Sequence, residues 1–460
     1  MLSLGVFFIV VLGVFAAGML IRRKYDVRVV LFGTGIFFML GASFLGLGVL
    51  PPDVSSGIGV FDVFRQVERT FVGQLSGAGL VIMVLFGFSA YMSEIGANGM
   101  TVRILSAPLQ KIRNKRLIVP FFFLIASALC MIIPSASSLG VFLMATAYPT
   151  LVKVGVSPLS AAALIAMAAG VAPTPLGSDN VVIHGYLGMS LHEYVFRYHA
   201  LVSIPVILVL CVVQYFWQGY CDKRDGVEAF DVPVGVSDLV EVENDVPRWY
   251  AILPMLPLIF MLIVSMLEMI GRISSGLQLV ELTFFALVVS FFVDVLRRRN
   301  GVDCVDDMKV FFQGMSNGFV TVVVQVVAAM TFINGLRVLG VIDALSMWTS
   351  DVVGGGILAI VIFCLLIVII GLLSGTGLSL FMGLIPVIPM FAYDAGVSAV
   401  AMMISMQFTA HFTKTISPLA PVMIITSGMM GVNPMKLARR TVVPSVIGAV
   451  LSIVLAYLFF

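Results

Sequence analysis

The feature that most constrains this chain is a series of apolar runs, most about twenty residues long, separated by short basic clusters. Such a run spans the roughly 30 Å hydrocarbon core as one helix, and lipid offers its backbone groups no partner outside that helix. Only 11% of the residues are charged and 60% are hydrophobic, with a mean hydropathy of +1.12. A soluble domain carries about 25% charged residues. The sequence therefore predicts an all-α polytopic membrane protein. The first run, Leu2–Ile21, has its charges after it rather than before it, so it reads as a retained span and not a signal peptide. Cys130, Cys211, Cys221, Cys304 and Cys364 are scattered, with no C-x-x-C or Cys/His cluster, so neither a disulfide framework nor a metal site is expected.

One apolar segment, from about Leu159 to about Met189, contains VAPTPLGSDN at Val171–Asn180. Pro173 and Pro175 lack backbone donors and disfavour helix at the residue before them. The spacing predicts a helix that breaks there, with a short helix restarting near Val181. Unwound backbone at membrane depth survives only inside protein or beside a water-filled cavity, and transporters use it to hold substrate. A second break is predicted at Phe412–Pro421, reading FTKTISPLAP, in a segment that starts near Val397. Upstream of each break lies a pair of short runs. Leu117–Ile133 and Leu139–Leu151 flank Pro134–Ser138, and Ile357–Leu373 and Leu378–Phe391 flank Ser374–Gly377. As helices these reach roughly 20–26 Å, short of the core, and they read as two re-entrant hairpins.

The halves repeat one plan. Gly155 and Gly396 lie 241 residues apart, and the same offset pairs Gly77 with Gly318, Gly99 with Gly340, Ser138 with Ser379 and Thr174 with Thr415. Residues 1–221 form the first expected repeat, 222–248 a polar cytoplasmic linker and 249–460 the second repeat. The basic clusters at 22–28, 103–116, 223–224, 297–309 and 436–440 are read as cytoplasmic. Alternation then places both termini outside and makes the repeats inverted, with about ten full spans. Leu191–Tyr198 and Pro434–Arg440 read as short amphipathic pieces lying in the interface.

Four polar interruptions should meet near the midplane. Their candidate substrate-binding residues are Ser135, Ser137 and Ser138; Thr174, Ser178, Asp179 and Asn180; Ser374, Thr376 and Ser379; and Thr413, Lys414, Thr415 and Ser417. Hydroxyls, unwound backbone and helix N-termini suit carboxylate oxygens. Lys414 carries the most information, because an ammonium at the bilayer centre costs at least ~2.5–3.5 kcal/mol on insertion scales. It either neutralises a substrate carboxylate, pairs with Asp179 or snorkels to an edge. Asp179 either caps the helix starting at Val181 or serves a coupling ion or proton. His184 and His411 sit beside the breaks. No G-x-x-x-x-G-K-[ST], H-E-x-x-H or TVGYG motif is present, which argues against an ATP-driven pump, a zinc protease and a potassium-type filter.

FGFSAYMSEIGANGMTVRILSAPLQ (86–110), PSASSLGVFLMATAYPTLVKVGVS (134–157), APTPLGSD (172–179) and KTISP (414–418) together resemble the anaerobic C4-dicarboxylate carriers of the DcuC type, within the ion transporter superfamily. The likeness in plan and length covers essentially the whole chain. It implies a scaffold and a moving transport domain, usually as a homodimer working as an elevator. It also implies carriage of succinate, fumarate or malate by exchange or with cations. Sodium-coupled superfamily members carry Ser-Asn-Thr-like hairpin tips; neither tip here contains Asn, and with Lys414 this favours exchange or proton coupling. The expectation is a secondary carrier in a bacterial inner membrane, in contact with lipid and a small dicarboxylate anion. No enzyme activity, cofactor, metal or nucleic-acid partner is expected. The alternative within the same fold is a carrier of amino acids or other small organic anions.

Overall fold

The computed structural model of the protein describes residues 4–23, 25–107, 115–133, 135–168, 170–225, 246–270, 272, 277–341, 356–375 and 377–460, and every regular element among them is helical. The first half contains α1 Leu4–Arg22, α2 Val27–Phe44, α3 Gly59–Gln74, α4 Leu80–Glu94, α5 Ala97–Ser106, α6 Lys115–Cys130, α7 Ala136–Lys153, α8 Pro158–Ala168, α9 Ser178–Leu187, α10 Leu191–Glu193 and α11 Ala200–Arg224. The second contains a 3-10 stretch Arg248–Met255, α12 Leu256–Met269, α13 Leu279–Arg298, α14 Gly301–Gly318, α15 Val324–Val338, α16 Gly356–Ser374, α17 Gly377–Leu384, α18 Ile388–Asp394, α19 Ala399–Ile416, α20 Pro421–Met429 and α21 Pro434–Phe459. Among the described residues six helices are long and apolar enough to cross a membrane, and α17 with α18, bent by 72°, makes a possible seventh.

Three helix pairs are welded by π turns. Leu75–Gly79 joins α3 to α4, Tyr194–His199 joins α10 to α11, and Phe319–Val323 joins α14 to α15. The resulting rods have 36, 34 and 38 residues. At 1.5 Å per residue they measure about 51–57 Å, well beyond a core of about 30 Å. The first is kinked at Gly77, whose φ of −99° and ψ of −121° lie outside the helical region.

Element ends follow local chemistry. Asp26 accepts from Arg28 N (2.9 Å) to start α2, and Asn300 accepts from Val302 N (3.2 Å) to start α14. Gly155 and Gly396 lie just past the ends of α7 and α18, with φ of 95° and 68°. The closing bond from Val156 N to Leu151 O (3.0 Å) recurs as Val397 N to Ala392 O (2.9 Å), each atom 241 residues on. The starts of α8 and α19, at 158 and 399, keep the same spacing.

Several boundaries differ from the sequence expectation. The two interfacial pieces are the opening turns of long helices, since Leu191–Arg224 and Pro434–Phe459 run on as helix through Pro205 and Pro444. Arg440 is consequently buried, bonding Ser160 Oγ (3.1 Å) and Asp225 Oδ2 (2.8 Å) and pairing with Asp222. The loop expected at 51–70 turns helical from Gly59, because its apolar residues recur at helical spacing. The first half's last helix continues to Arg224, three residues past the expected boundary. Residues 226–245 of the expected linker lie outside the described residues.

Packing interleaves the two halves. α4 runs antiparallel to α14, where Gly87 lies against the Phe311 carbonyl and Gly314 against Phe86 O and Gly87 Cα, with no room for a Cβ at either. α2 runs parallel to α15, where Gly35 meets the backbone of Thr331 and Phe332. Small residues permit such approaches, which drive helix association in lipid. Each bundle thus takes one helix from the other half. Helices α6–α9, α11 and α16–α21 share a large apolar core that includes Phe122, Tyr148, Ile165, Phe381, Met403 and Phe408, to which α4, α5, α12, α13 and α15 add Ile82, Val102, Met261, Leu279 and Val326.

Candidate functional site

α8 stops at Ala168 and α9 begins at Ser178, so the prolines break the helix where the sequence requires. Within the unwound stretch Thr174 Oγ1 donates to Met131 O (2.7 Å), just past the end of α6, and accepts from Leu176 N (3.1 Å). The cap of α9 is Gly177, which has no side chain to offer. Asp179 and Asn180 lie on the first helical turn, so Asp179 is not the cap and the helix starts before Val181. Asn180 Nδ2 returns to Thr174 O (2.7 Å) and fixes the corner.

The second break starts later than expected. α19 continues to Ile416, leaving Thr413, Lys414 and Thr415 helical. Polar side chains do not break a helix; the prolines do. Ser417, which precedes Pro418, is the first extended residue, with ψ 119°. Its hydroxyl donates to Leu372 O (3.1 Å) and accepts from Leu419 N (3.4 Å). Met131 and Leu372 are 241 residues apart, so the same hairpin carbonyl is held by a break hydroxyl in both halves.

Gln407, His411 and Lys414 recur at i, i+4 and i+7 along α19 and form one polar stripe facing the first break. Gln407 Nε2 donates to Asp179 Oδ2 (2.7 Å) and Asn180 Oδ1 (2.6 Å), and its Oε1 accepts from Tyr194 Oη (2.7 Å). His411 Nε2 lies 2.6 Å from Asp179 Oδ2. Asp179 is therefore held by a histidine and an amide rather than by Lys414. Lys414 forms no salt bridge among the described residues, yet it lies within Coulombic reach of Asp179 and Cys130. His199, buried beside this network, packs edge-on to Phe408 at 4.7 Å.

One layer away is a cavity of about 200 Å³ lined by Ser89 and Ser93 of α4, Asn317 of α14, Ser135 and Ser138 at the start of α7, and Ser178 at the start of α9. Ser135 caps α7, accepting from Ser138 N (3.3 Å). Two helix N-termini thus open on one polar space, with their partial positive charge and unpaired N–H groups. Such a site favours an anion.

Of the residues singled out in sequence, Ser135, Ser138 and Ser178 line the cavity; Asp179 and Asn180 follow Ser178 on α9, and neither they nor Thr174 and Lys414 are among its lining residues. Ser137 is half-buried on the first turn of α7, off the cavity lining. Thr413 bonds Thr409 O (2.7 Å) on its own helix, and Thr415 bonds Ser445 of α21 (2.7 Å). Ser379 is buried against Gln325. Thr376 and the side chain of Ser374 lie outside the described residues. His184 Nδ1 is 3.1 Å from Met189 O, a local turn contact. Sequence reasoning missed Ser89, Ser93, Asn317, Gln407 and Tyr194. The i, i+4 spacing of Ser89 and Ser93 in an apolar helix, and of Gln407 and His411, was the available signal. Among the described residues no group of three His, Cys, Asp or Glu side chains is arranged for a metal ion.

The chain matches the DcuC family, described as the C4-dicarboxylate anaerobic carrier, over residues 4–460. The anaerobic C4-dicarboxylate transporter DcuC of Escherichia coli K12 is 30% identical over 435 residues, which cover 94% of this chain and 92% of that one. A probable anaerobic C4-dicarboxylate transporter DcuC of Vibrio cholerae is 32% identical over 447 residues, covering 96% and 95%. Two solved transporters share the fold. Neisseria gonorrhoeae MtrF, reported to illuminate a class of antimetabolite efflux pumps, has TM-score 0.61 and 12% identity over 96% of each chain. Alcanivorax borkumensis YdaH, reported to have an unusual topology, has TM-score 0.62 and 14% identity over 94% of this chain and 98% of that one. Helices built for lipid, broken around a polar cavity and matched from end to end, lead to one conclusion: the chain belongs to the DcuC family of anaerobic C4-dicarboxylate carriers, as a multi-pass transporter of the bacterial inner membrane and not an enzyme.

Proposed function

We propose that this protein carries a C4-dicarboxylate such as succinate, fumarate or malate by alternating access, in exchange or together with a proton. The observation that carries the reading is the cavity of about 200 Å³ at which the N-termini of α7 and α9 converge. Its volume is below the usual 300–1,000 Å³ of drug-sized pockets and suits a compact anion. One carboxylate is bound by Ser135, Ser138 and the amide ends of α7 and α9. The second meets Ser89, Ser93 and Asn317 across the cavity. Lys414 supplies the compensating charge from behind, together with Thr174, Asp179 and Asn180. The hairpin-tip residues Ser374, Thr376 and Ser379 and the second-break residues Thr413, Thr415 and Ser417 frame the site as it moves.

In this reading residues 1–221 and 249–460 are inverted repeats joined by the linker at 222–248. α6–α7 and α16–α18 are re-entrant hairpins, with both termini outside and about ten full spans. Helices α6–α9, α11 and α16–α21 move as one transport domain against the α4–α14 and α2–α15 bundles, in an elevator of two identical subunits. Counterflow in proteoliposomes tests the proposal. Labelled succinate should exchange against internal succinate, fumarate or malate, and faster than against amino acids. Replacing both Ser135 and Ser178 by Ala should raise KM about tenfold or more, since a hydrogen bond to a charged group contributes about 1.5–3 kcal/mol. Movement of amino acids in preference to every dicarboxylate would discard the substrate assignment.

A further inference from the structure

The open cavity has a counterpart that is shut. At the 241-residue offset Ser138 corresponds to Ser379, Ser89 to Met330 and Ser93 to Asn334. Ser138 faces open space, whereas Ser379 is buried against α15. With its amide nitrogen turned to the Thr321 carbonyl (2.8 Å) and Ser379 Oγ (3.3 Å), Gln325 accepts at its amide oxygen from Ser379 N (3.3 Å) and from Ser379 Oγ. One turn further along α15, Ala329 presses on Gly383 of α17 and leaves no room for a Cβ there. Gln74 of α3 reaches Met330 Sδ (3.0 Å) and Tyr186 Oη on α9 (3.4 Å). Both amides flank π turns: Gln74 precedes Leu75–Gly79, and Gln325 follows Phe319–Val323. Single π turns inside long helices occur frequently at functional sites.

A seam meant to stay closed has no need of two half-buried amides, because each amide taken from water needs a partner. Gln325 finds its partners in Ser379 and its own helix and the Gln74 nitrogen in Met330 and Tyr186, and such N–H groups are the type that holds a carboxylate. We propose that this seam is the second mouth of the anion route, and that Gln325 and Gln74 become its carboxylate-binding wall when it opens. There they take the part that Ser89, Ser93 and Asn317 take at the cavity. The proposal rests on the alternating-access reading above.

Two measurements test it. In Q325C/S379C, whose untreated exchange is itself slowed by the loss of Gln325, bridging the two thiols with Hg²⁺ should lower succinate exchange at least a further tenfold below that untreated level, and dithiothreitol should restore it. The bridged protein should still bind labelled succinate within about twofold of the unbridged Kd, because the open cavity lies on the other side. Wild type treated in the same way controls for the native cysteines. Exchange that continues with the bridge formed overturns the proposal, and so does loss of binding on bridging. Failure of the untreated variant and of wild type to move or bind any dicarboxylate instead removes the transport reading, and this one with it. The second measurement uses Gln325→Ala in oriented vesicles. KM should rise about tenfold from one membrane face and stay unchanged from the other, with Gln325→Asn recovering part of the loss. Equal shifts on both faces, or none, overturn the assignment.

Discussion

At the first break the charged side chain follows the unwound stretch, on the opening turn of α9; at the second it precedes the stretch, on the closing turns of α19. Each charge thus sits at the helix end whose dipole favours it, Asp179 at an N-terminus and Lys414 at a C-terminus. Their bonding differs more. Asp179 is held at one oxygen, Oδ2, by Gln407 and His411 and its neighbour Asn180 is pinned to Thr174, whereas Lys414 has no ion-pair partner among the described residues. The backbone plan is shared, down to a hydroxyl that holds the same hairpin carbonyl. The first break is built as a closed corner, and the second offers it a stripe of side chains with one charge left over.

The largest expected effect breaks the corner. Asp179→Ala removes one of the two acceptors of the Gln407 amide, leaving Asn180 Oδ1, and leaves His411 without its carboxylate in buried surroundings. Removing one member of a buried pair costs about 3–5 kcal/mol. Thermal unfolding in detergent should show a large fall in Tm, with transport lost as a consequence. Lys414→Gln should behave oppositely: the protein inserts and melts within a few degrees of wild type, and anion exchange is abolished. A Lys414→Gln variant that melts as early as Asp179→Ala would show that both breaks are structural, and normal uptake by it would remove the charge-compensation role.

The contrast between the breaks also separates what was legible in the sequence from what was not. Proline position decided both helix ends, and reading Thr413–Thr415 as unwound failed because polarity was taken for a breaker. Ser135, Ser138 and Ser178 could be found because they lie next to Pro and Gly interruptions. Ser89, Ser93 and Asn317 lie on uninterrupted helices far away in sequence, and only the α4–α14 crossing at Gly87 and Gly314 brings them to the cavity. Gln407 was hidden for a similar reason: a neutral amide barely disturbs the hydropathy of α19, and its partners Asp179 and Tyr194 are more than 200 residues away. The 241-residue repeat was visible as a few identities, but its physical content, the recurring cap bond at Val156 and Val397, is a backbone property that side-chain identity need not preserve.

The smallest effects test whether the shared plan is energetically shared. Thr174 and Ser417 each donate to a hairpin carbonyl and accept from the N–H two residues on, a turn that short hydroxyl side chains form readily. A neutral hydrogen bond contributes about 0.5–1.5 kcal/mol net. Thr174→Val keeps the shape and removes both bonds, and should lower stability by about 1–2 kcal/mol. Ser417→Ala should cost less, because its contacts are longer, at 3.1 and 3.4 Å against 2.7 and 3.1 Å. The two losses should add in the double variant, since the hydroxyls belong to different hairpins and share no partner. A double variant that loses clearly more than the sum would mean that the two hairpin tips are coupled through the polar stripe of α19, and the breaks would then have to be treated as one site rather than two.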